Sequence, residues 1–421
     1  MNQEFIHQGE GQRLQKDLLG DWYKSVESAP KRGEKVAYLF ISGNIGELLQ
    51  AAGMQLVFPE VNALQCGIKK VAGKNILAAE DAGYSGDVCG YVKNDIGLML
   101  GGNTMPHGTE LPPPDLLVCN YAGCATYLRW FEALAEFYNA EMVVVDVPFL
   151  RGTEGPTREE VQYVERQLHE LVKTCERITG KPFDDAAYRA SLARTRRCED
   201  LWVDVLKSAK RRPSPVDAYF EAVFFMAPMY TQRGTPECLA YYESLHREVQ
   251  ERIERGIGPL PEERFRVVVE GPPAWPHFRA FWDMFKRWGV VTVASTYSKV
   301  GGVWDHGMRH DPERPFESMA EYMLGCYTNR NWEMRSKLIR EYVEEYQADA
   351  LVIHSVKSCR SFSVGQADLR EQFIRDYDVP TLFIESDLAD PRYFAHAQMK
   401  NRMDAFFESL EHRRVTAGAS R

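Results

Sequence analysis

Short apolar runs rich in β-branched residues alternate along the chain with stretches in which apolar and charged positions recur at helical spacing. This alternation is typical of βα units that assemble into a mainly parallel sheet. It predicts an α/β protein whose strands form two clusters, separated by a part of the chain without a convincing strand. The predicted strands cover residues 36–41, 54–58, 116–120 and 142–147 in the first cluster, and residues 265–270, 290–295, 350–355 and 381–385 in the second.

The two clusters share one order of predicted elements. Each opens with a strand, a glycine-containing loop, a helix and a second strand, and each later presents a strand, a cysteine, a helix and a further strand. We therefore predict two Rossmann-like or flavodoxin-like parallel-sheet domains, related by an apparent duplication, at residues 1–156 and 263–421. Residues 157–262 read as consecutive charged amphipathic helices and are predicted to form a mainly helical segment between the domains.

Length, net charge and hydropathy limit the classes of function that this chain can have. The 421 residues are too many for one ordinary core, which agrees with several domains. The formal net charge of −9 argues against a nucleic-acid partner, because phosphate binding needs a coherent basic surface. Residues 1–20 are polar and charged, and no apolar run is long enough to cross a membrane. We expect a cytoplasmic protein without a membrane partner.

The nine cysteines need an explanation other than disulfides in a reducing compartment. Cys124 and Cys359 each follow a predicted strand and precede a helix, where the ligands of parallel sheets collect, and Cys89 begins a helix predicted to reach residue 100. The N–H groups and dipole at a helix start favour a thiolate over a thiol. Three thiolates can hold three corners of a [4Fe-4S] cluster and leave the fourth iron open. From the pattern alone, the alternative that two of these cysteines are ordinary buried side chains stays open.

Three sequence blocks surround these cysteines: residues 87–93, residues 121–132 and residues 355–366. They resemble the cluster motifs of the 2-hydroxyacyl-CoA dehydratase and benzoyl-CoA reductase family. Further blocks cover nearly the whole chain in the same order and spacing, and they are similar to the larger, B-type subunits of the ATP-dependent benzoyl-CoA reductases. These blocks are residues 38–47, 59–64, 269–273, 297–302, 309–312, 326–331 and 390–394.

The resemblance implies that Cys89, Cys124 and Cys359 bind a [4Fe-4S] cluster. Cys119 departs from the pattern as a competing ligand, but the Gly-Cys step followed by Trp130 assigns the role to Cys124. The remaining cysteines match no cluster motif and are predicted to be structural or incidental: Cys66, Cys175, Cys198, Cys238 and Cys326.

In this family, two related cluster-bearing subunits meet around an acyl-CoA thioester, and separate ATP-hydrolysing iron-sulfur subunits deliver electrons at very low potential. For this chain the resemblance implies a C-type cluster-bearing partner, reduced ferredoxin as electron donor and benzoyl-CoA as substrate. The expected product is cyclohexa-1,5-diene-1-carbonyl-CoA, formed with two electrons and two protons. The sequence contains no Gly-x4-Gly-Lys-Ser/Thr loop, so we expect ATP to bind to partner subunits and this chain to be inactive alone.

Reduction of an aromatic ring also needs a proton donor of suitable pKa. Candidates stand close before Cys359 and in the loop after the strand predicted at 290–295: His354, Lys357, Tyr297, Lys299, His306 and His310. For His354 the alternative is a packed, hydrogen-bonded histidine at a strand end.

Candidates for substrate binding lie in the same loop. Lys299 and Arg309 are predicted to contact CoA phosphates, with carboxylate partners as the alternative. Gly301 and Gly302 either allow the backbone to approach a ligand closely or form an ordinary turn. Trp130 and the aromatic residues after it recur at helical spacing, which favours core packing over a substrate platform.

Two other functions stay open. The first is a component of an (R)-2-hydroxyacyl-CoA dehydratase, in which the same electron delivery drives the loss of water and the electron is returned. The blocks at 269–273, 297–302 and 326–331 favour the reductase. The second is a scaffold component without a redox role, whose cysteines hold zinc or no metal, since three thiolates and one further ligand can bind zinc tetrahedrally.

Overall fold

Two parallel sheets of four strands each organise the computed structural model, which describes residues 9–299 and 301–419. The first sheet has the order β2-β1-β3-β4, with β1 (Lys35–Leu39), β2 (Met54–Val57), β3 (Leu116–Tyr121) and β4 (Glu141–Asp146). Every pairing in it is parallel. The helices of this half are α1 (Glu10–Ser28), α2 (Gly46–Ala51), α3 (Pro59–Ile68), α4 (Ala72–Asp81), α5 (Gly90–Leu100) and α6 (Thr126–Tyr138).

Helices alone follow the first sheet. They are α7 (Arg158–Thr179), α8 (Asp185–Ser208), α9 (Ala222–Phe225), α10 (Pro228–Thr231) and α11 (Pro236–Arg255). Thr157, Asp184 and Thr235 each cap the start of one long helix by accepting a backbone N–H in their side chains, which satisfies a donor that the helix cannot. This helical region lies where the sequence predicts it, and the domain boundaries at 156 and 262 stay predictions.

The second sheet has the order β6-β5-β7-β8, with β5 (Phe265–Glu270), β6 (Val290–Ser295), β7 (Ala350–Val356) and β8 (Thr381–Ser386). Its pairings are again parallel. The helices around it are α12 (Phe278–Lys286), α13 (Pro315–Leu324), α14 (Trp332–Glu345), α15 (Arg360–Ser363), α16 (Gln366–Arg375) and α17 (His396–Ala419). Short 3-10 helices occur at Pro30–Arg32, Trp275–His277, Tyr297–Lys299, Trp304–His306, Tyr327–Asn329 and Pro391–Tyr393.

The predicted fold class is confirmed. All eight predicted strands exist, and their ends differ from the predicted ones by two residues at most. Strands β5, β6 and β7 are buried along their whole length, as expected for runs of β-branched residues covered on both faces. The two sheets share one strand order, which is consistent with a duplication, although the duplication itself stays a prediction.

A buried ionic network joins the three regions. Arg233, in the loop before α11, pairs with Glu47 of α2 and with Glu199 of α8, and His310 lies 2.6 Å from the Glu199 carboxylate. All four side chains are fully buried. Because removing one partner would leave an uncompensated buried charge, the network fixes these helices relative to one another.

Two parts of the predicted pattern lie outside the described residues. They are the first eight residues of the polar N-terminus and Val300 of the block at 297–302. Among the helices of residues 9–299 and 301–419, none has the length and apolar character that a membrane span requires.

Candidate functional site

Cys89, Cys124 and Cys359 line one cavity between the two sheets, with a volume of about 80 Å³. We call it the cysteine cavity. Cys124 lies three residues beyond the end of β3, at Tyr121, and Cys359 lies three residues beyond the end of β7, at Val356. Because β3 and β7 hold the same place in the order of their sheets, the two cysteines are carried by equivalent strands. The rest of the wall is largely apolar and aromatic, and includes Ile41, Tyr91, Tyr127, Trp130 and Phe362.

Each of the three cysteines stands at the start of a helix, as the sequence predicted for Cys89 and Cys124, whereas the helix after Cys359 begins earlier than predicted. Cys89 is the N-cap of α5, Cys359 is the N-cap of α15, and Cys124 directly precedes Ala125, the N-cap of α6. The backbone N–H groups of Tyr91, Thr126 and Phe362 interact with the sulfurs of Cys89, Cys124 and Cys359, respectively. The sulfurs therefore face the free donors of three helix starts.

The expected preference for thiolates is corrected by the structure. Burial raises the pKa of all three thiols, and neighbouring thiolate charges raise those of Cys89 and Cys359 further. The helix starts lower these pKa values, but burial outweighs them. A bound cationic centre would relieve the repulsion, because thiolates bind metals as anions.

Hydrogen bonds between distant segments hold the cysteines around the cavity. The N–H of Gly90, next to Cys89, donates to the Ser358 hydroxyl, next to Cys359, at 2.9 Å. The Ser361 hydroxyl donates to the carbonyl oxygen of Gly123, next to Cys124, at 3.1 Å. The Thr328 hydroxyl donates to the carbonyl oxygen of Ala122 at 3.0 Å. The convergence is thus fixed by main-chain and hydroxyl contacts as well as by the sheets.

The donor set fits the [4Fe-4S] cluster that the sequence blocks imply. In such a cluster each thiolate binds a different iron, and hydrogen bonds to the sulfurs tune the potential, so three separated thiols with adjacent N–H donors suit it. Among the residues that the structure describes, no three His, Cys, Asp or Glu side chains form a group that could hold a single metal ion. That the three thiols hold a metal cluster stays a prediction.

The structure adds an acidic residue that sequence reasoning missed. Glu60, at the start of α3, lines the cysteine cavity. Its carboxylate accepts hydrogen bonds from the Tyr127 hydroxyl at 2.8 Å and from the N–H of Ile41 at 2.6 Å. Burial raises the pKa of Glu60 to about 7, although these two hydrogen bonds oppose the shift. The signal was present in the sequence block at 59–64, but nothing there connects Glu60 with Tyr127.

Tyr297 is the one predicted proton donor that lies among the described residues of the cavity wall. Its side chain interacts with Tyr91 and Trp275, and the Trp275 indole N–H donates to the Tyr91 hydroxyl. Burial raises the pKa of Tyr297 above its ordinary value. Tyr297 therefore faces the thiols as a neutral, hydrogen-bonded phenol.

The other candidate proton donors lie elsewhere, and none is among the described residues that line the cysteine cavity. His354 is buried in β7, with its two ring nitrogens beside the Pro272 carbonyl and the Ser386 hydroxyl, which is the packed alternative. Lys357 is exposed, over the ring of Tyr393. His306 lies 3.7 Å from Glu341, and His310 belongs to the buried ionic network. Their catalytic roles stay predictions that this geometry does not support.

The residues predicted to bind substrate instead contact other residues of the chain. Lys299 is buried and forms an ion pair with Asp305 at 2.9 Å, and Arg309 pairs with Asp200 at 2.7 Å. A Cβ on Gly301 would lie 2.2 Å from the Tyr230 ring, and one on Gly302 would lie 2.6 Å from Trp304. Both glycines thus allow close packing of the chain's own aromatic rings, and contact with CoA stays a prediction.

The remaining predictions can be compared directly with the structure. Cys119 is buried in β3 and is not among the described residues of the cavity wall, whereas Cys124 is. Trp130 is buried, as predicted, but with Tyr127 it also lines the cavity, so the core and the cavity wall share these rings. The cysteines predicted to be structural are all buried: Cys66, Cys175, Cys198, Cys238 and Cys326.

Two parallel sheets bring three thiols to one cavity, which defines an α/β protein with a cysteine-lined site between two sheet domains. The family described as "2-hydroxyglutaryl-CoA dehydratase, D-component" matches residues 46–410, and the chain belongs to this family. This confirms the family indicated by the sequence blocks.

Among its relatives, the chain is 44% identical to the B subunit of benzoyl-CoA reductase from Thauera aromatica, over 96% of this chain and 95% of that protein. It is 25% identical to the alpha subunit of (R)-2-hydroxyisocaproyl-CoA dehydratase from Clostridioides difficile, over 94% of this chain and 95% of that protein. It is 23% identical to the alpha subunit of (R)-2-hydroxyglutaryl-CoA dehydratase from Acidaminococcus fermentans, over 95% of this chain and 97% of that protein.

Proposed function

We propose that this chain is the B-type subunit of an ATP-dependent benzoyl-CoA reductase. The reaction adds two electrons and two protons to benzoyl-CoA and gives cyclohexa-1,5-diene-1-carbonyl-CoA. The observation that supports this proposal most strongly is the convergence of Cys89, Cys124 and Cys359 on one cavity. The relative at 44% identity, matched over nearly its whole length, supports the reductase as the particular activity.

The three cysteines would hold a [4Fe-4S] cluster, each binding one iron. When bound, the cluster supplies one-electron transfer. The chain's own part is to fix the cluster, the thioester and the ring at short distance and to keep water out. The buried aromatic side chains of Tyr91, Trp130 and Phe362 in the cavity wall suit this exclusion.

Apolar surroundings for the ring continue beyond the cysteines. A second cavity, of about 50 Å³, shares Ile41, Leu64 and Tyr297 with the cysteine cavity and extends toward Phe224 and Trp275. An aromatic acyl group therefore finds apolar and aromatic contacts on the side of the cavity that these residues form.

A proton for the reduced ring would come from the hydroxyl and carboxyl groups at the cavity. Glu60 and Tyr127 form a hydrogen-bonded pair there at 2.8 Å, and Tyr297 faces the same space. When Glu60 is protonated, its carboxyl can donate to the Tyr127 oxygen, so that Tyr127 passes its own proton toward the ring and takes another from Glu60. His354, Lys357 and His306 would need substrate contacts that lie outside this cavity.

The partners follow from the proposed reaction. A C-type cluster-bearing subunit would complete the acyl-CoA site, and ATP-hydrolysing iron-sulfur subunits would pass electrons from reduced ferredoxin. ATP would bind to those subunits, since this chain has no phosphate loop of the Gly-x4-Gly-Lys-Ser/Thr type.

A component of an (R)-2-hydroxyacyl-CoA dehydratase is the second candidate, because the matching family is described by a dehydratase component. The dehydratase relatives are 25% and 23% identical, against 44% for the relative from the reductase, which favours the reductase.

The decisive experiment purifies the chain anaerobically with the products of its neighbouring genes and supplies benzoyl-CoA, ATP and reduced ferredoxin. A reductase consumes two electrons for each benzoyl-CoA, whereas a dehydratase needs reductant only for activation. Consumption of two electrons per product, dependent on ATP, supports the proposal. Inactivity toward benzoyl-CoA, together with turnover of a 2-hydroxyacyl-CoA, favours the dehydratase. Zinc in place of iron and sulfide in the purified complex contradicts both.

A further inference from the structure

Arg330 carries a partly buried guanidinium without an acidic partner. Its Nε donates to the carbonyl oxygen of Gly325 at 3.2 Å, but its two Nη atoms have no hydrogen-bond or ion-pair partner among the described residues. Neither Nη atom is fully enclosed by protein, so a ligand can reach both. Burial lowers the pKa of Arg330, and the attraction of Asp305 offsets this only in part. An anionic ligand would compensate the charge.

Arg330 lines a cavity of about 250 Å³ that we call the arginine cavity. The described wall of this cavity holds three guanidinium groups, those of Arg330, Arg335 and Arg360, and one carboxylate, that of Glu270. Glu270 pairs with Arg335 at 3.0 Å, whereas neither Arg330 nor Arg360 has an ion-pair partner in the part of the chain that the structure describes. The wall therefore carries an excess of positive charge, which favours an anionic ligand.

Two aromatic rings in the same wall have free faces. Phe149 is 47% exposed and Trp332 is 42% exposed, and neither contacts another aromatic ring of the described residues. The Trp332 indole N–H donates to the carbonyl oxygen of Gly365 at 3.3 Å, which holds the ring at the cavity. Exposed rings next to unpaired guanidinium groups suit a ligand that joins phosphates to a planar base, because bases stack on aromatic rings and phosphates pair with arginine.

Main-chain contacts fix the segments that carry these groups. Leu150 forms an isolated parallel bridge with Arg330, and its N–H donates to the carbonyl oxygen of Asn329 at 3.1 Å. The side-chain amide of Asn329 in turn donates to the carbonyl oxygen of Pro148 at 2.8 Å. Phe149, between Pro148 and Leu150, is thus held beside Arg330 before any ligand binds, which lowers the cost of ordering the site.

We propose that the arginine cavity binds a phosphorylated nucleoside, with its phosphates at Arg330 and Arg360 and its base against Trp332. The source that we assign, the nucleotide part of the acyl-CoA, rests on the proposed function. Arg360 directly follows Cys359, and Gly123, in the same wall, directly precedes Cys124. The nucleotide would therefore lie beside the segments of two cavity cysteines. A free nucleotide shares this chemistry, and the test distinguishes the two sources.

The test measures the Kd of four probes by calorimetry: CoA, ADP, inorganic diphosphate and pantetheine. It uses the full-length chain, purified anaerobically without the ATP-hydrolysing subunits. We expect R330Q and R360Q each to weaken CoA, ADP and diphosphate about tenfold, because each removes charge-assisted hydrogen bonds to phosphate. W332L should weaken CoA and ADP about tenfold and leave diphosphate unchanged, because the indole contacts the base.

Two controls accompany these variants. Pantetheine carries no phosphate, so its affinity should be the same in the parent and in every variant. R370Q, at an exposed arginine of α16 that is not among the described residues of the cavity wall, should bind all four probes as the parent does. Arg360 is exposed, so R360Q should keep the unfolding temperature of the parent and should report on binding even if R330Q folds poorly.

Equal affinities for CoA in the parent, R330Q and R360Q would overturn the inference, and so would a parent that binds none of CoA, ADP and diphosphate. Tighter binding of ADP than of CoA would overturn the assignment to the acyl-CoA and point to a free nucleotide. If the complete complex fails to reduce benzoyl-CoA but the arginine variants weaken CoA as expected, the site stands and the proposed function falls. If the complex reduces benzoyl-CoA and these variants bind CoA as the parent does, the proposed function stands and the site falls.

Discussion

Ser358 donates two hydrogen bonds to Asp387, one from its hydroxyl and one from its backbone N–H. The same hydroxyl oxygen accepts the N–H of Gly90 at 2.9 Å, and the other Asp387 oxygen accepts the N–H groups of Ala389 and Asp390. Gly90 follows Cys89 and Ser358 precedes Cys359, so one buried carboxylate at the end of β8 links the segments of two cysteines from different halves of the chain. A Cβ on Gly90 would lie 2.5 Å from the Asp387 carboxylate, which explains why this helix begins with glycine.

Replacing Asp387 by asparagine should destabilise the protein. Each carboxylate oxygen accepts two hydrogen bonds, so the amide NH₂ of asparagine must face two donors and lose both bonds. Hydrogen bonds to a buried charged group contribute about 1.5–3 kcal/mol each, and we expect D387N to lower the unfolding free energy by about 2–4 kcal/mol in urea denaturation. The exposed D378N is the control and should change it by less than about 0.5 kcal/mol. Equal stabilities for D387N and the parent would contradict this account of the carboxylate.

The three cavity cysteines should be equally necessary for iron. We expect C89A, C124A and C359A each to lose most of the iron and sulfide bound after anaerobic reconstitution, because each removes one ligand of the proposed [4Fe-4S] cluster. C119A is the matched control, because Cys119 is buried in β3 and is not among the described residues of the cavity wall. It should retain the iron of the parent. A C359A variant with full iron content, or a C119A variant without iron, would show that the ligands were wrongly chosen.

Gly123 should tolerate no side chain. Its φ is +73°, and a Cβ there would lie 2.1 Å from the carbonyl oxygen of Thr328. Gly180 has a similar φ of +68°, but no described atom lies within 4 Å of its added Cβ. Alanine costs about 1–2 kcal/mol at either position because of the left-handed backbone, and G123A should lose a further 1–3 kcal/mol by overpacking.

The comparison of G123A with G180A isolates the effect of this steric contact. The quantities measured are the free energy of unfolding in urea and the iron content of each variant. Since Gly123 precedes Cys124, G123A should also bind less iron than G180A does. Equal losses of stability and of iron in the two variants would mean that the contact with Thr328 has no role.

His354 should make stability depend on acid pH. Burial lowers the pKa of His354 to about 4 from its ordinary value near 6.5, so the folded protein holds this proton more weakly than the unfolded chain does. The contribution of the neutral ring is therefore fully present above about pH 6.5 and is lost as the pH falls toward 4, with a slope of up to about 1.4 kcal/mol per pH unit.

The measurement is the unfolding free energy of H354N and of the parent at pH 6.5, 5.5 and 4.5. The parent should lose stability more steeply than H354N over this range. H412N, at an exposed histidine of α17, should behave as the parent does. A parallel pH dependence in the parent and H354N would show that His354 titrates normally in the folded state.

Strands β5, β6 and β7 were predictable because a strand covered on both faces must be apolar along its length, and β-branched runs satisfy this locally. Strand β4 was predictable from its β-branched run although half of its residues are exposed. The positions of Cys89 and Cys124 at helix starts were predictable for the same reason, since each depends on a strand or helix within a few residues. The short helix α15 was missed, because its four residues carry no periodic pattern.

The roles of side chains proved less predictable. Lys299 and His354 were candidates for contact with substrate, but Asp305 and Ser386 are their neighbours in the fold. Glu60 was not a candidate site residue in the sequence, yet its carboxylate accepts a hydrogen bond from Tyr127 at the cysteine cavity. In each case the deciding partner belongs to another element of the chain, and local patterns say nothing about such pairs.

The sequence by itself determined the elements, their order, the family and the three cysteines, because these follow from local periodicity and from blocks of neighbouring residues. Only the tertiary structure decided that the cysteines share one cavity and that Asp387 links two of their segments. The physical reason is that hydrogen bonding and burial of a side chain depend on which distant segments the packed sheets bring beside it.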